Sequence, residues 1–218
     1  MKITWIGHSA LKLEGSKTIF IDPFITGNPV ACLSLDKVTK ADVVVVTHDH
    51  GDHLGDSYAI CRKTGATLVA IYEIAEEAAK QGAKAEGMNI GGSVNVGGVV
   101  VSLVPAFHTG GLGGTAAGAV VEMDGKKVYH AGDTGLTMEM QLIGEMYTPD
   151  IAFLPIDGRF NMGPRLAAKA VELLKVPKTV PIHYDTFPLV QSSPEEFKKL
   201  VGNKSQVIIL EPGEFVEI

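Results

Sequence analysis

The segment VVVVTHDHGDHLGD, residues 43–56, decides how the rest of the chain is read. Four consecutive valines run directly into three histidines and three aspartates, and the chain holds only seven histidines in all. A β-branched run that is apolar on both faces suits a strand covered on both sides of a parallel sheet. Ionisable side chains that follow such a strand stand at a sheet edge, where α/β proteins place their sites. On a helix His48 and His50 would not share a face. In an extended loop they can converge, and Gly51 is expected to supply the tight backbone that turns Asp52 and His53 back toward them. Neutral imidazole and carboxylate are good ligands for zinc and related divalent ions. A solvated loop, or a helix start decorated with aspartates, would account for the carboxylates but not for the histidines.

Working outward, KITWIG (2–7), ALKLEG (10–15) and KTIFID (17–22) read as short strands, with Gly15-Ser16 as a turn. ADVVVVTH (41–48) is the buried strand, a helical pattern runs from Leu54 to about Lys63, and ATLVAI (66–71) is again a strand. YEIAEEAAKQG (72–82) is a helix of good formers ended by Gly82. The stretches GSVNVGGVVVSLVPAFH (92–108), GAVVEMDGKKVYHAGD (118–133) and DIAFLPID (150–157) read as strands, with a hairpin turn at Asp124-Gly125. GPRLAAKAVELLKV (163–176) is a helix with Leu166, Ala170, Leu173 and Leu174 as its apolar positions. SPEEFKKLVG (193–202) opens with a capping box, Ser193 with Glu196, and Pro194 at the first helical position. TVPIH (179–183), QVIIL (206–210) and EFVEI (214–218) complete the pattern. Runs of adjacent strands interrupt the alternation that a doubly wound fold would show. Two sheets in contact with helices outside, a four-layer αββα sandwich over one domain spanning residues 1–218, is the expected architecture.

The chain of 218 residues, 45% hydrophobic, is long enough to bury a core without disulfide staples. Its net charge of −6 argues against non-specific nucleic-acid binding. Cys32 and Cys61 have no metal or redox spacing and suit a reducing compartment. MKITWIGHSALKLEG (1–15) lacks the uninterrupted apolar core of a secretory signal. No window approaches the roughly 18 apolar residues of a membrane span. A soluble, cytoplasmic protein that acts on a small molecule is expected, with a homo-oligomer left open.

The other chemistry-bearing residues follow predicted strands: His108 in VPAFHTG, Asp133 in YHAGDTG and His183 in VPIHYDT. Singly, each could be a polar residue satisfied at a strand end or in a turn. Taken together and in this order, THDHGDH, FHTG, GDTG and IHYD resemble the metallo-β-lactamase fold superfamily, whose hallmark is H-x-H-x-D-H followed by a His, an Asp and a His. GHSALKLEG (7–15), IDPFITGNP (21–29) and AFLPIDGRFNMGP (152–164) narrow the likeness to metal-dependent hydrolases related to L-ascorbate-6-phosphate lactonase.

Carried to these positions, the resemblance implies two divalent metal ions. His48, His50 and His108 would hold the first, and Asp52, His53 and His183 the second. Asp133 would bridge them. Zinc is the first choice, with manganese or iron as alternatives, because a set without thiolate does not single out zinc. Asp52 and Asp133 would share in the chemistry, and two cations set against these two carboxylates and a hydroxide would leave a positive centre. His8, in the family's GHS motif, would act as a proton donor or as a partner behind the ligands. Asp22 would support the histidine loop from behind, and His130 would be structural. HTGGLGGTAAG (108–118) reads as a mobile lip over the site, and Arg159 is the candidate contact for an anionic substrate. Asp157-Gly158 and Arg165-Leu166 depart from the pattern of relatives, and neither pair is expected to touch a ligand.

The implied reaction is hydrolysis of a small ester or lactone, anionic in one version. Phosphodiester hydrolysis at the same site, or metal binding without catalysis as in a sensor, are the alternatives. An open, glycine-lined mouth argues against the last, since structural metal sites are usually closed.

Overall fold

In the computed structural model, which describes residues 1–111 and 114–218, two seven-stranded sheets face each other. The first sheet has the order β14-β1-β2-β3-β4-β5-β6. Its strands are β1 (Lys2–Gly7), β2 (Ala10–Glu14), β3 (Thr18–Ile21), β4 (Val43–Val45), β5 (Thr67–Ile71), β6 (Lys84–Met88) and β14 (Phe215–Glu217). The second has the order β13-β12-β11-β10-β9-β8-β7. It comprises β7 (Ser93–Val96), β8 (Val99–Pro105), β9 (Ala117–Met123), β10 (Lys126–His130), β11 (Ile151–Pro155), β12 (Lys178–Ile182) and β13 (Gln206–Val207). In each sheet an antiparallel half gives way to a parallel half, with the change at β3–β4 in one and at β10–β11 in the other.

The valine run behaves as its composition requires. β4 lies between β3 and β5, parallel to both, and all three of its residues are buried. Such a strand has no solvated face, so polar alternation would be costly there. Helices cover the outer faces. α2 (Ser57–Thr64) and α3 (Tyr72–Lys80) pack on the first sheet. α4 (Glu139–Tyr147), α5 (Pro164–Leu174) and α6 (Pro194–Val201) lie side by side on the other half. At the start of α6 the Ser193 hydroxyl accepts a hydrogen bond from the Glu196 amide, as the capping residues predict. The four-layer expectation matches this architecture.

Several local expectations differ from the structure. The helical pattern after the valines starts earlier, in α1 (Gly51–Leu54), and is interrupted before α2. Gly51 has neither a positive φ nor a close neighbour, so it is not the tight point of the loop. That role falls to Gly55, at φ 43°, where a Cβ would stand 2.6 Å from the Phe24 Cα. Leu166 faces solvent, and α5 instead buries Ala167, Ala170, Val171 and Leu174. The sequence pattern announces neither strand β6 (KAEGM) nor helix α4. β6 is an edge strand of largely exposed residues with no β-branched side chain, so it carries no composition signal.

Direction is what builds the site. β1, β3 and β4 run the same way, because two antiparallel steps and one parallel step separate them. β8, β10, β11 and β12 share a direction by the same count. The residues that follow these seven strands therefore gather at one rim.

Candidate metal centre

Each strand delivers one or more polar side chains to that rim. β1 delivers His8, β3 Asp22, β8 His108, β10 Asp133, β11 Asp157 and β12 His183. β4 delivers Thr47, His48 and His50, and α1 then turns Asp52 and His53 inward. His50 is extended and precedes the helical turn, whose first closure runs from the His53 amide to the His50 carbonyl at 3.0 Å. The two sheets are stitched together here. The His183 amide donates to the His8 carbonyl at 3.0 Å, and Trp5 Nε1 donates to the same oxygen at 2.9 Å. His8 and His183 both have positive φ, a strained choice for non-glycine residues that this stitch over-determines.

The predicted ligands converge in two groups. Nitrogens of His48, His50 and His108 lie within 4.8 Å of one another, and so do ligand atoms of Asp52, His53, His183 and His8. Asp133 stands between the groups. Its Oδ1 is 3.1 Å from His53 Nε2, and its Oδ2 is 3.3 Å from His183 Nε2 and 3.6 Å from His108 Nε2.

Behind the inner atoms, a ring of partners fixes the imidazoles. Asp22 accepts from the Thr47 amide at 2.8 Å, from the Thr47 hydroxyl at 2.6 Å and from His53 Nδ1 at 2.8 Å. With its proton committed to Asp22, the Thr47 hydroxyl accepts from His48 Nδ1 at 3.1 Å. Both rings are thus held through Nδ1 with Nε2 on the inner side, where His48 Nε2 lies 3.0 Å from His50 Nδ1 and His53 Nε2 lies 3.1 Å from Asp133 Oδ1. His8 Nδ1 is paired with the Thr186 hydroxyl at 2.9 Å and His8 Nε2 with Asp52 Oδ2 at 3.1 Å. His130 lies outside this ring, bonded from Nε2 to the Ser9 carbonyl across the two sheets.

One expectation is corrected. Asp157 does touch a predicted ligand: its Oδ2 is 3.2 Å from His183 Nδ1. The strand-end rule that points to Asp133 and His183 points equally to Asp157, at the end of β11. Thr47 and Thr186 carry no such signal, because hydroxyls are common near strand ends. Arg159 is exposed, and its guanidinium lies 5.6 Å from the Phe160 ring centroid. Phe160, rather than Arg159, lines the cavity of about 290 Å³ above the cluster, together with His50, Asp52, His108, Thr109, Asp133 and His183. Of the proposed lip, Gly110 and Gly111 lie against Asp49, whose carboxylate accepts from the Gly111 amide. Leu112 and Gly113 of that stretch lie outside the described residues.

The electrostatics fit a cation site. Burial would raise the carboxylates, yet His53 and its neighbours hold Asp22 and Asp133 below the usual range. Asp52 is likewise lowered against its burial, through the His8 hydrogen bond and His53. Burial pushes His8 down to about 4 and His48 down to about 3. Burial acts the same way on His183 and His53, but flanking carboxylates reverse it. Asp133 and Asp157 raise His183 to about 9, and Asp133 and Asp22 raise His53 well above its ordinary value. His53 Nε2, Asp133 Oδ1 and His183 Nε2 are buried without a hydrogen-bond partner, although they approach one another within ion-pair distance. Buried polar atoms are rarely left so. An imidazole and carboxylate set with unpaired inner atoms is what divalent cations require, and the residues present fit them.

Comparison with known proteins agrees with this geometry. Residues 17–184 match the family described as beta-lactamase superfamily domain. A UPF0173 metal-dependent hydrolase of Methanopyrus kandleri is 52% identical, and one of Korarchaeum cryptofilum 50% identical, each over the full length of both chains. Igni18, a metallo hydrolase of the archaeon Ignicoccus hospitalis, is 43% identical and superposes with a TM-score of 0.93 over 99% of this chain and 97% of its own. The metallo-beta-lactamase fold protein YhfI of Bacillus subtilis, 15% identical, shares the fold with a TM-score of 0.75 over 99% of both chains. Motif order, sheet topology, converged ligands and whole-length identity agree: the chain belongs to the beta-lactamase superfamily, among its UPF0173 metal-dependent hydrolases.

Proposed function

We propose that the chain hydrolyses a small ester or lactone at a centre of two cations, with Asp52 taking the proton of the attacking water. His48, His50 and His108 would hold one cation, Asp52, His53 and His183 the other, and Asp133 would face both. Bound divalent ions, zinc first with manganese or iron as alternatives, would supply Lewis acidity and lower the pKa of water to about 7.

The observation that carries the reading is the exposure of Asp52. Four carboxylates touch the histidines, and the Asp52 side chain is 35% exposed, whereas that of Asp133 is 4% and those of Asp22 and Asp157 are fully buried. Asp52 lines the cavity and is held anionic, so it can accept a hydrogen bond from the attacking water; its lowered basicity means that the proton transfer would rely on the acidity a bound cation gives that water. His8, neutral at pH 7 and fixed by Thr186, bonds Asp52 Oδ2 and orients the carboxylate. In the reaction the water oxygen joins the acyl carbon and the bond to the leaving oxygen breaks. The proton taken by Asp52 passes to that leaving oxygen. The lactone arm of the proposal follows the GHSALKLEG, IDPFITGNP and AFLPIDGRFNMGP resemblance. Free Cys32 and Cys61 fit the cytoplasm, and no helix among the described residues is long and apolar enough to cross a membrane.

The test is a panel of esters, lactones, a phosphodiester and a thioester on protein reconstituted with each metal. Metal-dependent turnover of esters or lactones that Asp52→Asn abolishes is the expected result. Turnover of the phosphodiester alone would reassign the reaction. Tight metal binding with no turnover of any class would make the protein a binder or sensor.

A further inference from the structure

We infer that the substrate is uncharged away from its scissile bond, carries a small apolar group, and packs that group on Phe160. The inference rests on the ester-hydrolase reading and deepens it.

The cavity lining supports this first. Beyond the candidate ligands, the described residues of the walls are Thr109 and Phe160, and no lysine or arginine among the described residues lines the cavity. A second carboxylate or phosphate on the substrate would meet no cation and would lose its hydration without compensation. The guanidinium that could have served, Arg159, is engaged over the Phe160 ring instead.

Charge points the same way. Two divalent ions balanced only by Asp52 and Asp133 would leave a strongly positive centre. Asp22 and Asp157, whose oxygens lie 2.8 Å from His53 Nδ1 and 3.2 Å from His183 Nδ1, bring the carboxylates beside the candidate ligands to four. Four carboxylates neutralise two divalent ions before any water is added, so long-range attraction for an anionic substrate disappears.

Phe160 has the properties of a contact surface. It is 50% exposed, although a phenyl ring is normally buried. Its position is fixed from below: the amides of Arg159 and Phe160 donate to Asp157 Oδ1 at 2.9 and 2.7 Å, while the other oxygen of that carboxylate faces His183. One side chain therefore sets both a ligand and the wall beside it. On the Asp52 side, Phe187 is 36% exposed with its ring 5.7 Å from that of His8, a second apolar surface. A volume near 290 Å³ admits a small molecule carrying a single ring.

The test uses metal-reconstituted protein and four esters: methyl acetate, benzyl acetate, methyl phenylacetate and 4-carboxybenzyl acetate. The better of the two neutral aromatic esters should exceed both methyl acetate and the anionic ester about ten-fold in kcat/KM. Phe160→Ala should raise KM for that aromatic ester about five-fold and remove most of its advantage over methyl acetate, and Phe160→Leu should recover part of the loss. Preference for the anionic ester, or a KM indifferent to Phe160, overturns the inference while leaving the hydrolase reading intact. If no ester is turned over, that reading fails, and binding decides the inference alone. Fluorine NMR should show 4-fluorobenzyl alcohol bound by the wild type and released by Phe160→Ala; equal binding to both, or to neither, overturns it.

Discussion

Asp157 Oδ2 lies 3.2 Å from His183 Nδ1, and both side chains are withdrawn from solvent. The contact is an ion-pair approach rather than an aligned hydrogen bond, since His183 Nδ1 has no hydrogen-bond partner. A carboxylate behind a metal-binding imidazole fixes the ring and raises its basicity. Asp157→Asn should therefore weaken metal binding about ten-fold or more. Chelator competition measures this directly, and an unchanged affinity would remove Asp157 from the centre.

Asp133 faces His53, His183 and His108 at once. Elemental analysis of the loaded wild type should find two metal ions per chain, and of Asp133→Ala one or none. Two ions retained in the variant would exclude a bridging role.

Stability of the chelator-treated protein should peak near pH 6.5. His8 and His48 have folded values of about 4 and about 3, so from pH 6.5 downward the unfolded chain takes up protons that the fold refuses, and their contribution is lost as pH falls through those values. His183, raised to about 9, stabilises fully below about pH 6.5 and loses that contribution as pH rises through 9, with His53 shifted in the same direction. His8 and His183 each contribute at most about 3 kcal/mol and His48 at most about 5 kcal/mol. Thermal melts from pH 4 to 9 would show the dome, and a monotonic trend would contradict the arrangement.

Metal loading should release protons above pH 7, because His53 and His183 must surrender theirs to coordinate. Titration calorimetry in buffers of different ionisation enthalpy counts them. A count of zero would mean that these two rings are not ligands.

Gly132, one residue before Asp133, has φ 62°, and a Cβ there would stand 2.6 Å from the Ala117 carbonyl oxygen and 3.0 Å from Thr47 Cβ. Gly132→Ala should cost about 2 kcal/mol and several degrees of Tm. It should also disturb the cluster from both sides, since Thr47 backs His48. A wild-type melting temperature would show that the backbone relaxes there without cost.

Much of the fold and of the cluster is legible in the sequence, for identifiable reasons. The Val43–Val46 run announces a doubly covered strand because it is short, wholly β-branched and without a polar face. His108, Asp133 and His183 could be found because each follows a strand, and strand ends collect at one rim. Asp157 obeys the same rule, but a lone aspartate before a glycine also reads as a turn. Gly51 was the wrong glycine, since its neighbourhood in the chain resembles a tight turn while the close approach is made in space, by the Pro23-Phe24 segment against Gly55. β6 was illegible because an exposed edge strand needs no apolar alternation. Arg159 reads as an anion contact from its charge and the fork geometry of its guanidinium, whereas in the fold that group lies 5.6 Å from the ring centroid of its neighbour Phe160.

The amide of His183 reaches the carbonyl of His8 across the two sheets, and the candidate ligands divide the same way. A nick between Met88 and Ser93 would leave His8, His48, His50, Asp52 and His53 on one fragment and His108, Asp133 and His183 on the other. Neither piece carries a complete cage. Metal uptake by a mixture of the two would then serve as a gauge of re-association, read without any substrate, in which the ion acts as the solder between halves that share no covalent bond.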